Sequence, residues 1–238
     1  MDQRKAKKQI ICIGGGGFST KENLLLENYI LRQSGKKKPK VCFVPTASGD
    51  AEWYLRMLNS AFKKLDCVPS HLALFKPPVG SLEKYLLCND VIYVGGGNTR
   101  NLLALWELWG LDKIMKKAYQ KGILLCGPSA GSICWFEEGV TDSWTSPLMP
   151  LKCLGFLKGS NCPHYDSEKD RRPSYHRMIA QKKIKPGHAA DDGVAIHYID
   201  GKIARFISSR PQARAYKVGL QKGKVVEESI VPDYLGES

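Results

Sequence analysis

Residues 123–126, Ile-Leu-Leu-Cys, form an unbroken apolar run with glycine on either side. A strand with one wet face alternates apolar and polar residues, whereas an unbroken run needs cover on both faces, the situation of a central strand in a parallel sheet. Strand signals at 9–13, 41–44, 71–75 and 91–94 alternate with helical spacing at 21–33, 51–65, 98–109 and 111–120, with Asp50 and either Asn98 or Thr99 placed as helix caps. Parallel neighbours require crossover connections, so the alternation predicts an α/β fold, a mostly parallel sheet flanked by helices on both faces. Residues 129–136 read as a further helix, and 139–175 as a loop-rich stretch with Pro147, Pro150, Pro163 and Pro173, a candidate lid followed by a helix from Pro173. Residues 194–198 and 203–206, joined through Asp200-Gly201, resemble a hairpin, and 219–226 a further strand pair.

The chain has 238 residues, enough for one full core over 1–238 with a basic tail at 1–8. Its 36 Lys and Arg against 23 Asp and Glu leave a formal charge of +13. The lysine runs at 4–8, 36–40 and 182–185 come with no nucleic-acid motif and read as solvated surface, so neither nucleic acid nor membrane is expected as a partner. No apolar run reaches the roughly 20 residues of a membrane span and the start has no signal-peptide core, which predicts a soluble cytoplasmic protein. The eight cysteines include no CxxC pair, and several sit in apolar runs, as expected of reduced, buried thiols rather than zinc ligands.

The strongest chemical signal is Gly127-Pro128-Ser129-Ala130-Gly131, directly after the buried run. A sharp strand-to-helix turn of this kind needs small neighbours and exposes a serine oxygen above the sheet, with the next N–H aimed at an oxyanion. A serine N-cap is the plainer alternative. Gly95-Gly96-Gly97-Asn98 also follows an apolar strand, and its N–H groups can hold an anion. Neither this turn nor Gly14–Gly17 completes a dinucleotide or phosphate-loop pattern. Of the histidines at 71, 164, 176, 188 and 197, His164 lies in a proline-shaped loop downstream of the serine, where a general base would be placed.

The glycine turn at 95–98, the Ser129-Ala130-Gly131 elbow, Pro163-His164 and Asp192-Gly193, in that order over roughly residues 9–210, resemble the peptidase E family of serine peptidases. That family includes aspartyl dipeptidases and cyanophycinases. The resemblance implies a fold similar to class I glutamine amidotransferases, a flavodoxin-like three-layer sandwich, with serine in place of their cysteine. It implies Ser129 as nucleophile, His164 as base and Asp192 as orienting acid, with Asp142 the alternative acid and Asp191 a neighbour able to substitute. Asp192 stands where such dipeptidases tend to carry Glu.

The resemblance also implies an oxyanion hole from the N–H groups of Gly97 and Ala130, with Gly96 in place of Gly97 as the alternative. No metal or organic cofactor is required. Small peptides are the expected substrates, among them dipeptides with N-terminal Asp. Asn98, Arg171 and Arg172 are candidates for binding them, since a guanidinium can grip a carboxylate through two bonds. The rival readings are cleavage of aspartate-containing polymers, as in cyanophycinases, and a non-catalytic anion-binding protein on the same fold. The oligomeric state is left open, a homodimer included.

Overall fold

The computed structural model describes residues 7–19, 23–76, 80–144 and 147–236. In chain order the first half runs β1 (Gln9–Ile13), α1 (Leu25–Gln33), β2 (Lys40–Val44), α2 (Glu52–Phe62), β3 (Val68–His71), α3 (Leu82–Leu87), β4 (Val91–Val94), α4 (Thr99–Trp109), α5 (Leu111–Gln120) and β5 (Leu124–Pro128). The second half runs α6 (Ala130–Ile133), β6 (Phe136–Thr141), β7 (Met149–Lys152), β8 (Leu157–Cys162), α7 (Arg171–Ala180), β9 (Gly187–Ala190), β10 (Val194–Ile199), β11 (Lys202–Ser208), β12 (Ala215–Gln221), β13 (Lys224–Ile230) and β14 (Asp233–Tyr234).

The first sheet has the order β14-β11-β10-β1-β5-β4-β2-β3. Strands β1, β5, β4, β2 and β3 are parallel, and β10 adds to β1 antiparallel. Successive residues of the parallel strands bury on opposite faces. Cys12, Val44, Ile92 and Leu125 pack with Leu102 and Trp106 of α4 and Met115 of α5. Ile11, Phe43, Tyr93 and Cys126 pack with Leu26 and Tyr29 of α1 and Leu58 and Phe62 of α2. This is the three-layer arrangement expected from the alternating sequence. Each fully buried aliphatic side chain here contributes roughly 1.5–3 kcal/mol.

Local chemistry fixes the helix ends. Leu111, Ile114, Met115 and Ala118 bury one face of α5 at helical spacing. The Asn98 side chain caps α4 by accepting the Asn101 N–H at 2.9 Å, and Gly110, at φ 68°, ends that helix and turns the chain into α5.

Some sequence expectations need correction. Asp50 does not cap α2: its Oδ2 accepts the N–H groups of Leu74 and Phe75, and Ala51 holds the cap position. The strand expected at 71–75 is shifted to Val68–His71. Leu72 and Leu74 are both buried and imitate strand alternation from a loop. The helix expected at 129–136 stops at Ile133 with Cys134 as its C-cap, and Phe136 already opens β6.

The 139–175 stretch is not chiefly loop. It carries β7, β8 and the start of α7, which begins at Arg171 rather than Pro173. Together with β6, β9, β12 and β13 these strands form a second sheet ordered β13-β12-β9-β8-β6-β7. Tyr175, Met178 and Ile179 of α7 pack with its Cys162, Ala189 and Val218. Among the described residues no helix is long and apolar enough to cross a membrane.

Six cysteines are buried, Cys153 is half-buried and Cys88 is exposed. Burial pushes the Cys42, Cys153 and Cys162 thiols up to about 12. The helix expected at 21–33 starts at Leu25; residues 21 and 22 and the first six residues of the basic tail lie outside the described residues.

Candidate active site

Strands β1, β5 and β4 are parallel neighbours, so the turns that follow them meet at one edge of the sheet, where open α/β folds place their ligands. Those turns hold Gly14-Gly15, Ser129 and Gly95–Gly97.

Ser129 has φ 54° and ψ −116°, a backbone state costing on the order of 1–3 kcal/mol for a non-glycine residue. Both elbow glycines are required by crowding, since a Cβ on Gly127 or Gly131 would run into the Val94 carbonyl oxygen at the end of β4. Ser129 is half-buried, between Pro128 and Ala130, which are both buried. Its carbonyl accepts the N–H groups of Ser132 and Ile133, both at 2.9 Å, while no side-chain cap bond forms.

His164 follows β8 and also has positive φ, at 55°. Its Nδ1 lies 2.8 Å from Asp192 Oδ1. Burial pushes the Asp192 carboxyl up, but the His164 hydrogen bond and charge, the Ser167 hydroxyl and Arg210 outweigh it and hold it below the usual carboxylate range. Arg210 Nη1 donates to the Asp192 carbonyl and to Asp166 Oδ2, both at 2.9 Å.

The first glycine turn joins these parts. The carbonyls of Ile13, Gly14 and Gly15 accept, in order, the N–H groups of Ser129 at 3.2 Å, His164 at 3.1 Å and Gly193 at 2.8 Å. Gly15 has no room for a side chain, because a Cβ there would strike the Asp192 carboxylate and come within 2.6 Å of His164 Nδ1. Sequence reasoning finds in this turn only an incomplete dinucleotide or phosphate-loop pattern. Its position after a strand of the same sheet as Ser129 was the signal that could have shown more. Asp166, Ser167 and Arg210 were likewise missed, and nothing local in the sequence marks them.

The second glycine turn lies beside the serine. A Cβ on Gly96 would stand 3.4 Å from the Ser129 Cβ. The Gly96 N–H is donated to the Tyr54 hydroxyl at 3.2 Å, whereas those of Gly97 and Ala130 make no hydrogen bond among the described residues. Gly97 has φ 135°, and a Cβ there would collide with the Ala47 carbonyl, so the position demands glycine.

A cavity of about 270 Å³ is lined by Gly97, Asn98, Ser129, Asp142, Ser143, Glu168 and Arg171. Asn98 Nδ2 donates to the Ser143 carbonyl at 3.0 Å, so this side chain braces the wall as well as capping α4. Asp142 lies 3.5 Å from Arg171 Nη2 and makes no contact with His164 among the described residues. Arg172 is outside the lining, stacked on the Tyr165 and Tyr216 rings and paired with Glu227 at 3.0 Å. Asp191 points away to the Arg214 N–H at 2.8 Å.

The other histidines have separate partners. His197 sits between Tyr29 and Gln9, His176 bonds Glu227, and His188 lies against the Phe206 ring. His71 ends β3, where its carbonyl accepts the Tyr85 hydroxyl.

Comparison with known proteins gives the family and the fold. The sequence model of peptidase family S51 matches residues 10–206. The chain is 55% identical to the uncharacterized peptidase YgaJ of Bacillus subtilis strain 168 over 230 residues, covering 96% of this chain and 100% of that one. It is 33% identical to the uncharacterized peptidase Lin0382 of Listeria innocua over 57% of this chain and 68% of that one. The fold is similar to the crystal structure of a peptidase from an acI-B1 Actinobacterium, with TM-score 0.68 and 16% identity over 95% of this chain and 98% of that one. The chain thus belongs to peptidase family S51 and is a serine peptidase by class.

Proposed function

We propose that the protein hydrolyses short peptides through Ser129, His164 and Asp192. The observation that carries the assignment is the 2.8 Å contact between His164 Nδ1 and Asp192 Oδ1, with the His164 and Ser129 backbones held by the successive carbonyls of Gly14 and Ile13. With Nδ1–H donated to Asp192, the other ring nitrogen, Nε2, is left as the base. It takes the proton from Ser129 Oγ as the oxygen attacks the peptide carbonyl, and returns it to the leaving amine as the C–N bond breaks. Water then attacks the acyl-serine, losing its proton to the same nitrogen, which passes it to Ser129 Oγ as the acyl C–Oγ bond breaks and the acid leaves.

The carbonyl oxygen of the tetrahedral intermediate is held by the N–H groups of Gly97 and Ala130, donors near Ser129 with no other partner among the described residues. Gly96, engaged by Tyr54, is the poorer donor. The positive φ of both Ser129 and His164 supports the reading, since strain of this kind collects at reacting groups.

A fluorophosphonate probe tests the nucleophile. It labels the wild type at Ser129, and neither Ser129→Ala nor His164→Ala is labelled or cleaves dipeptides. Unchanged hydrolysis by Ser129→Ala would overturn the assignment.

A further inference from the structure

Three residues beyond Ser129 and three before His164, a buried hydrogen bond joins the elbow helix to the second sheet. Ser132 lies in α6 and Asn161 in β8, each 1% exposed, and the Ser132 hydroxyl donates to Asn161 Oδ1 at 3.0 Å. The same hydroxyl lies against the Cys12 thiol of β1, which burial pushes up and this contact draws part of the way back. Ser132 therefore touches β1, which leads into Gly14, and β8, which leads to His164, while its own N–H is donated to the Ser129 carbonyl at 2.9 Å.

Ile133 beside Ser132 and Cys162 beside Asn161 are buried and apolar. A Cβ on Gly139 of β6 would run into Ile133 Cγ2, so β6 packs this closely on α6 only because Gly139 has no side chain. Apolar packing is non-directional and tolerates small shifts. A hydrogen bond between two short side chains has a narrow range of length and direction. An apolar pair of the same shape would be about as stable, so stability alone gives no reason for a polar pair at this point.

We infer that Ser132 and Asn161 are positioning residues, whose hydrogen bond sets the spacing between Ser129 and His164. The carbonyls of Ile13 and Gly14 hold the backbones of those two residues from β1. The Ser132–Asn161 bond ties together the helix that follows one and the strand that precedes the other, so neither shifts without the other. The inference rests on the peptidase reading, because only a serine and histidine that exchange a proton need this spacing fixed.

Steady-state hydrolysis of Ala-Ala, fluorophosphonate labelling and thermal melts of full-length Ser132→Ala, Asn161→Leu and the double variant test it. Ser132→Ala removes one oxygen and leaves a strong helix former, and Leu keeps the shape of Asn. A displacement of about 1 Å costs on the order of 10² in rate. Each single variant is therefore expected to lose about tenfold or more in kcat and in labelling rate, with KM changed less than about twofold. The double variant leaves neither side chain unpaired, so its Tm returns close to that of the wild type. Its kcat stays as low as in the single variants, because losses through one shared bond do not multiply. Should Asn161→Leu not fold, Ser132→Ala alone decides. Wild-type kcat in Ser132→Ala, or a double variant whose kcat recovers with its Tm or whose losses multiply, overturns the inference alone. A wild type that neither labels nor hydrolyses overturns the peptidase reading and this inference with it.

Discussion

Asp166 Oδ1 accepts the Asp192 backbone N–H at 2.9 Å, so an acid two residues beyond His164 fixes the acid that orients His164. Arg210 closes the same unit by bridging the Asp166 carboxylate and the Asp192 carbonyl. Arg210 also helps hold the Asp192 carboxyl low, so its removal raises that pKa. Arg210→Met is expected to move the acidic limb of the kcat/KM profile to higher pH. An unmoved limb would show that the arginine acts on shape alone.

The two acids considered for the triad separate by mutation. Asp192→Asn is expected to lower kcat by about 10⁴, the loss seen when a triad acid is neutralised. Asp142→Asn is expected to lose at least a hundredfold less, since Asp142 faces Arg171 and not His164. Steady-state kinetics on one neutral dipeptide decide between them, and equal losses would remove Asp192 from its role.

Gly15→Ala tests whether the first glycine turn sets the catalytic geometry. The new methyl group must push the His164–Asp192 pair aside. A displacement of about 1 Å at reacting groups costs on the order of 10² in rate. The expected result is that loss in kcat together with slowed fluorophosphonate labelling. Full activity in a folded variant would mean the pair sits elsewhere during turnover.

Acid stability depends on His197. Its ring is buried between the Tyr29 hydroxyl at 2.9 Å and Gln9 Oε1 at 3.1 Å, and burial, aided by the Arg205 charge, pushes its pKa down from 6.5 to about 4. The folded state therefore favours the neutral ring. The stabilisation is complete above pH 6.5 and is lost as pH falls from there through about 4. Thermal melts of His197→Gln should show a shallower fall across that window, with the remaining slope carried in part by His188, also lowered to about 4. An unchanged slope would remove His197 from the account.

The parallel sheet was legible because its strands are short, apolar and separated by helical periodicity, and strand β4 and helix α5 fall on the residues expected from their spacing. The second sheet was not. Strands such as Leu157–Cys162 and Met149–Lys152 mix Lys, Gly, Ser, Asn and Pro, and they gain their order from neighbours far along the chain. Ser129 and His164 could be singled out from local context. The carbonyls of residues 13–15 could not, because backbone groups that bind residues more than a hundred positions away leave no mark on side-chain pattern.

Ser129 comes from the first sheet, His164 from the end of a strand in the second, and Asp192 from the turn between β9 of the second and β10 of the first. Neither sheet alone carries a complete set. With the proposed triad, a chain emerging from the ribosome stays unable to cut peptides until residues beyond 192 are made and the sheets have docked, so hydrolytic competence itself would report that folding is finished.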